Sequence, residues 1–200
     1  MSTIGPKVKL ARRFGIGWTP KSIRILEKRP TPPGQHGENQ RPTRDSVFKQ
    51  QLLQKQLLRC QYNIREKQLR NYYRKALKSR GNYDERLIQF LETRLDALVL
   101  RAGFAPTIYA ARQYVSHGHV LVNGLRVNIP SYSVKPGDRI SMAPKSWNFL
   151  KTLNLSPVSN PVAYLQVQPE DFQAQLLSLP QVAEVPIICE PKQVIEFYSR

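Results

Sequence analysis

Arg94, Arg101, Arg112, Gln113, His117, His119, Asn123 and Arg126 lie close together in the middle of the chain, with few carboxylates between them. Guanidinium forks, amides and imidazoles bind phosphate oxygens and base edges, so this is chemistry for gripping RNA. It is poor chemistry for a reaction. The three histidines (His36, His117 and His119) stand without a nucleophile or a set of metal partners, and no catalytic residue is assigned. Cys60 and Cys189, the two cysteines, are far apart, which argues against a disulfide framework and a four-cysteine zinc knuckle.

The elements that must position these side chains are legible from Thr93 to Met142. Thr93 and Asp96 have the spacing of a capping box, which predicts a helix with Leu95, Leu98, Val99 and Ala102 inward and Arg94 and Arg101 outside. Gly103 supplies its left-handed stop. A second helix starts at Pro106-Thr107, turns Ile108, Ala111 and Val115 inward and Arg112 and Gln113 outward, and ends at Gly118. Hydrophobic period then changes from 3.6 to 2 through Val120 and Val122. Asn123-Gly124 is a two-residue hairpin signal, because a type I′ turn needs positive φ at both positions. Arg126 and Asn128 alternate with Val127 and Ile129, and Pro136-Gly137 turns the chain before Ile140 and Met142. Asn123 is therefore structural first, with RNA contact secondary.

Net charge over the 200 residues is +17. Residues 1–92 hold 21 Lys+Arg against 7 Asp+Glu, residues 93–150 hold 7 against 2, and residues 151–200 hold 3 against 5. The excess therefore sits at one end, as in a polyanion-binding arm and helical unit. No apolar run approaches the ~20 residues of a spanning helix, and the first residues lack the apolar core of a secretory signal. No membrane partner is expected.

The expected domains are a basic extended arm (1–44), a helical region (45–92), an RNA-binding domain (93–153) and a C-terminal segment packing on the helical region (154–200). In the arm, Lys7, Lys9, Arg12, Arg13 and His36 are candidate contacts. Asp45 or Ser46 can cap the next helix, and Arg65, Lys67, Arg70 and Arg74 follow on a second one, threaded between Leu69, Tyr72, Tyr73 and Leu77. Acidic partners are scarce there, which favours phosphate contact, and at least one of Tyr72 and Tyr73 is expected in the core. VAYLQV reads as a strand, and Val194, Ile195, Phe197 and Tyr198 as an apolar terminal strand. The fold class is α+β: a basic N-terminal arm and small helical domain, with an inserted-type compact RNA-binding module of two helices and a small antiparallel sheet.

RLD, APTIYAARQYVSHGHVLVNG, IPSY and KPGD together resemble the RNA-binding domain of the S-four family of small-subunit ribosomal proteins. GPK, RPTPPGQHG, REKQLRNYYRKA and VIEFYSR extend the resemblance over most of the chain. It implies a structural rRNA-binding protein that meets the 5′ domain of small-subunit rRNA, nucleates assembly and influences decoding accuracy. It also implies contact with the S-five protein and proximity to the path by which mRNA enters. The arm would then fold against rRNA. Some family members carry metal-binding N-terminal cysteines; this sequence has none there, and neither metal nor cofactor is expected. The APT-type wording is similar to cyanobacterial and plastid members, which favours a plastid ribosome over a bacterial one. The alternative is an RNA-modifying enzyme using the same module, such as a pseudouridine synthase. That would need a catalytic domain with a reactive Asp, and the remaining segments leave no room for one.

Overall fold

A computed structural model of the chain describes residues 5–37, 45–152 and 162–199. Its helices are α1 (Lys7–Phe14), α2 (Pro20–Lys28), α3 (Val47–Gln61), α4 (Glu66–Leu77), α5 (Tyr83–Glu92), α6 (Leu95–Arg101), α7 (Ile108–Ser116), α8 (Trp147–Thr152) and α9 (Pro191–Ser199). Its strands are β1 (Val120–Val122), β2 (Leu125–Arg126), β3 (Arg139–Met142), β4 (Leu165–Gln168) and β5 (Gln173–Leu176). The class is α+β. The chain divides into two compact units, one running to Asp84 and resuming at Ile187, the other Glu85–Pro186.

The first unit corrects the expectation of an extended arm, because the described part of that segment contains α1 and α2. Each helix is only two turns long, too short to display a sustained hydrophobic period, and the ends are set by local devices. Gly15 at φ +69° stops α1. Thr19 Oγ1 accepts from Ser22 N–H at 3.2 Å while Ser22 Oγ accepts from Thr19 N–H at 2.9 Å, with Pro20 opening the helix. Ser46 caps α3 as expected, its Oγ accepting from Lys49 N–H at 3.3 Å.

A second correction concerns the C-terminus, which is the helix α9 and not a strand. Its β-branched and aromatic composition pointed to a strand, but Pro191 opens a helix and Val194, Phe197 and Tyr198 then share a face. Val194 is fully buried. Phe197 meets Phe48 of α3 with ring centroids 5.6 Å apart, and Tyr198 stacks on Tyr73 of α4 at 5.0 Å. Tyr73 is thus in the core, as expected for at least one of the tyrosine pair.

In the second unit the strands form one antiparallel sheet in the order β2-β1-β3-β5-β4. Val120, Val122, Ile140, Met142, Ala174 and Leu176 are buried on one face, together with Leu98, Ala111 and Val115 from α6 and α7. Residues 162–186, read from sequence as part of the C-terminal segment, contribute β4 and β5 to this sheet.

The capping box at Thr93 does not form. Thr93 Oγ1 donates instead to the Gln89 carbonyl at 2.8 Å, and Arg94 takes the N-cap position without a side-chain cap. The orphan N–H groups at the start of α6 are met by the IPSY loop: Leu95 N–H donates to Tyr132 O at 2.9 Å and Asp96 N–H to Pro130 O at 3.2 Å. A carbonyl delivered from about thirty-five residues away replaces the hydroxyl that local spacing offered.

Candidate nucleic-acid interface

Thr107 caps α7, its Oγ1 accepting from Ala110 N–H at 3.2 Å, and Ile108, Ala111 and Val115 are buried as the period requires. That rotation leaves Arg112 half-buried and Gln113 and His117 exposed. Gly118, at φ +72°, turns the chain from α7 into β1. The hairpin then returns Arg126 to this junction, where its Nη2 donates to the His117 carbonyl at 3.0 Å. His117 and His119 stand with ring centroids 6.0 Å apart, and His119 Nδ1 lies 2.9 Å from Ser146 Oγ. The end of α7 thus gathers cationic and hydrogen-bonding groups from one helix, one turn and one hairpin.

Asn123 and Gly124 both have positive φ, +52° and +81°, as the two-residue turn demands. The Asn123 amide is committed to structure: it accepts from Arg139 N–H at 2.9 Å and donates to Asp138 Oδ1 at 2.9 Å. Asp138 also accepts from Lys135 N–H at 2.8 Å. These bonds hold its carboxyl below the usual range, since each favours the charged form.

Two expected contact residues are drawn onto buried carboxylates, Arg94 wholly and Arg101 in part. Arg94 is only 1% exposed; its Nε and Nη2 donate to the two oxygens of fully buried Asp96 at 3.0 and 2.5 Å. Burial pushes the Asp96 carboxyl up, against the opposing pull of Arg94 and Arg112, whose Nη1 lies 3.9 Å from Asp96 Oδ2. Arg101 turns its fork onto buried Glu92, with Nη2 donating at 2.6 Å, and Tyr164 O–H donates to the same carboxylate at 3.1 Å. Both arginines follow a fixed rule: a carboxylate without water requires a charged donor. Sequence reasoning placed them outside because helical phase alone does not register the loop and strands that cover them.

In the first unit, Lys67, Arg70, Arg74 and Lys78 recur three and four residues apart and are all exposed, forming a single cationic stripe along α4. Arg65, at its N-cap, is exposed too. Lys9 and Arg13 are exposed on α1, and His36 is exposed in the following loop. Arg12 is partly structural, donating from Nε to the Thr31 carbonyl at 3.0 Å and from Nη2 to the Pro32 carbonyl at 3.3 Å. Lys7 is half-buried, and burial lowers its ammonium pKa. Arg139 was missed. The alternation Arg139-Ile140-Ser141-Met142 already put it on the outer face, and it is exposed at the edge of the hairpin turn.

Among the described residues no three His, Cys, Asp or Glu side chains group to hold a metal, and no helix is long and apolar enough to cross a membrane. Cys60 and Cys189 are free thiols, pushed up to about 11 and about 12 chiefly by burial.

Comparison with known proteins covers both parts of the chain. Residues 2–92 match the family model described as the ribosomal protein S4/S9 N-terminal domain, and residues 93–140 match the S4 domain. The chain is 43% identical over 199 residues to the small ribosomal subunit protein uS4 of Chlorobium phaeovibrioides, covering 98% of each chain. It is 42% identical over 200 residues to the uS4 of Streptomyces avermitilis (98% and 97% covered), and 44% identical over 200 residues to that of Leifsonia xyli (96% of each). On this full-length similarity, the chain belongs to the uS4 family of small ribosomal subunit proteins.

Proposed function

We propose that this protein is a structural constituent of the small ribosomal subunit that binds the 5′ domain of small-subunit rRNA, nucleates assembly there and contributes to decoding accuracy. The observation that carries the reading is the polar set on α7 and at its end: exposed Gln113, His117 and Arg126, with half-buried Arg112 beside them. Gly118, lacking a side chain, leaves room for the Arg126 guanidinium to lie across the junction, and such forks suit phosphate and base edges.

The cationic stripe on α4, with Arg65, Lys9, Arg13 and His36, supplies most of the electrostatic attraction, in line with the charge concentrated in residues 1–92. The α7 junction, with fewer charges and better-fixed geometry, positions the RNA. Lys7 and Arg12 contribute charge from a helix whose packing already uses part of each side chain. Arg94 and Arg101 act indirectly, by holding α6 in place.

Contact with the S-five protein, and a place beside the path by which mRNA enters, rest on membership of the family alone. The APT-type wording of α7 supports a plastid ribosome, with the bacterial cytoplasm as the alternative. Sedimenting small subunits from each compartment and finding which contains this chain decides between them.

The test of the central reading is a titration of small-subunit rRNA with the full chain at several salt concentrations. For ~6–10 phosphate contacts, affinity should fall about 10³–10⁵-fold between 50 and 200 mM salt. A flat salt response overturns it. Arg112→Ala should weaken binding, with a smaller loss of stability than Asp96→Ala because Arg94 still pairs with Asp96.

A further inference from the structure

Strands β4 and β5, beside β3, carry four glutamines that the basic interface leaves unused. Their register sorts them into rows. Arg139 pairs with Gln175, and Gln175 with Gln166; two residues along, Ser141 pairs with Gln173, and Gln173 with Gln168. Residues directly opposite on neighbouring strands point to the same face, and alternate residues point to the other. The intervening Ile140, Ala174, Leu165 and Leu176 are buried, so both polar rows stand on the outer face. Gln166, Gln168 and Arg139 are exposed, and Gln173, Gln175 and Ser141 half-buried.

The second row continues across the sheet. Ser141 also pairs with Leu121, and Leu121 with Arg126, so one line of side chains runs from Arg126 at the α7 junction to Gln168 on the far edge strand. Between Arg139, Ser141, Gln173, Gln175 and the Asn123-Gly124 turn lies a groove of about 480 Å³. Neither row contains a carboxylate. Asp138, beside the groove, is turned to Asn123 and to the Lys135 N–H.

We propose that this amide face is a second RNA-contacting surface, which lies in the shallow minor groove of double-helical RNA and hydrogen-bonds ribose 2′-hydroxyls and base edges. The inference rests on the RNA-binding reading above and adds the class of RNA surface bound. Each amide presents a donor and an acceptor, the combination that a 2′-hydroxyl and a base edge require. Neither row offers an aromatic ring, so the stacking platform by which proteins hold splayed single strands is missing here. A broad sheet face fits a wide, shallow groove and cannot enter the deep, narrow major groove of A-form RNA. Arg126 and Arg139 flank the amides where phosphates border such a groove. Gln175 is steered by its own bond, Nε2 donating to the Gly137 carbonyl at 3.2 Å, which leaves its oxygen to accept from ribose.

The test compares the unaltered full chain with Gln173→Ala combined with Gln175→Ala, titrated into small-subunit rRNA. Affinity should fall about tenfold, as for loss of two hydrogen-bonding groups, with an unchanged salt slope because no charge is removed. Arg112→Ala should instead lower the slope. Chemical acylation of 2′-hydroxyls should show a duplex segment protected by the unaltered chain and exposed with the glutamine variant. Full affinity in the glutamine variant, alongside weakened binding by Arg112→Ala, overturns the proposal and leaves the broader reading standing. A flat salt response of the unaltered chain removes the broader reading itself. Should the alanine pair lose its cooperative melt, Gln166→Glu with Gln168→Glu on the edge strand replaces it. Carboxylates there should weaken binding at least tenfold, and no effect overturns the proposal. Normal rRNA affinity with loss from assembled subunits means that the face meets a protein, which also overturns it.

Discussion

The Arg126 guanidinium lies across Gly118. A Cβ built on that glycine would stand 1.9 Å from Arg126 Nε, and the same side chain donates to the neighbouring His117 carbonyl. The glycine is thus required twice, for its φ of +72° and for the space above it. Replacing it affects the fold a little and the interface a lot. Gly118→Ala should cost about 1–2 kcal/mol of stability from the left-handed backbone alone. It should also displace Arg126 and weaken rRNA binding by more than Arg126→Ala does. A titration beside a thermal melt checks both; rRNA affinity equal to that of the unaltered chain would mean that Arg126 does not act from this position.

Asp96 and Arg94 form a buried pair whose two halves are unequal to lose. Asp96→Ala strands a guanidinium in the core, and should cost roughly 3–5 kcal/mol in denaturant unfolding. Arg94→Lys keeps the charge but not the fork, since an ammonium cannot meet both carboxylate oxygens in plane. A smaller loss is expected there. If Asp96→Ala unfolds at the same denaturant midpoint as the unaltered chain, the pair is not holding α6 against its capping loop.

The α4 stripe makes a prediction about slope rather than strength alone. Arg70→Ala with Arg74→Ala removes two exposed cations without touching Leu69 or Tyr73. The dependence of log affinity on log salt should become shallower by about 2 if both face phosphate. The melting temperature should stay within a degree or two of the original, as for surface changes. An unchanged slope would reduce these residues to a solvated face.

Glu66 joins the C-terminal helix to α3, accepting from Tyr198 O–H at 2.6 Å and from Lys55 Nζ at 3.0 Å, with Arg59 Nη1 at 3.4 Å. Burial works to raise its carboxyl pKa, but the bonds from Tyr198 and Lys55 and the two positive charges outweigh it and leave the value lowered. A carboxyl lowered on folding adds stability that is fully present above its unfolded value and is lost as pH falls through the folded one. Glu66→Gln should therefore melt below the unaltered chain at pH 7, with the gap closing as the solution is acidified below the ordinary carboxylate range. A gap that persists undiminished in acid would assign the effect to packing of α9.

Much of the second unit was legible from short-range chemistry. Asn123-Gly124, Gly103, Gly118 and Thr107 act through their own backbone torsions or a hydroxyl three residues from its partner, so their roles do not depend on distant parts of the chain. The same holds for the outward phase of Gln113, whereas Arg112 is half-buried beside Asp96. The two helices of the first forty residues escaped notice because two turns are too few to show a period, and the capping box at Thr19 lacked the acidic residue that usually marks one.

By itself, then, the sequence determined the hairpin, the helix ends around it, the distribution of charge and the family to which the chain belongs. Tertiary structure decided what those local elements meet. It buried Arg94 against Asp96 and drew half-buried Arg101 onto Glu92, delivered carbonyls from Pro130 and Tyr132 to cap α6, and turned an apolar C-terminus into a helix seated on Tyr73 and Phe48. It also set Gln173 and Gln175 beside Arg139, across more than thirty residues of chain. The physical reason is common to all four. Backbone torsions are governed by near neighbours, whereas burial and strand pairing depend on residues distant in sequence, whose approach no local pattern encodes.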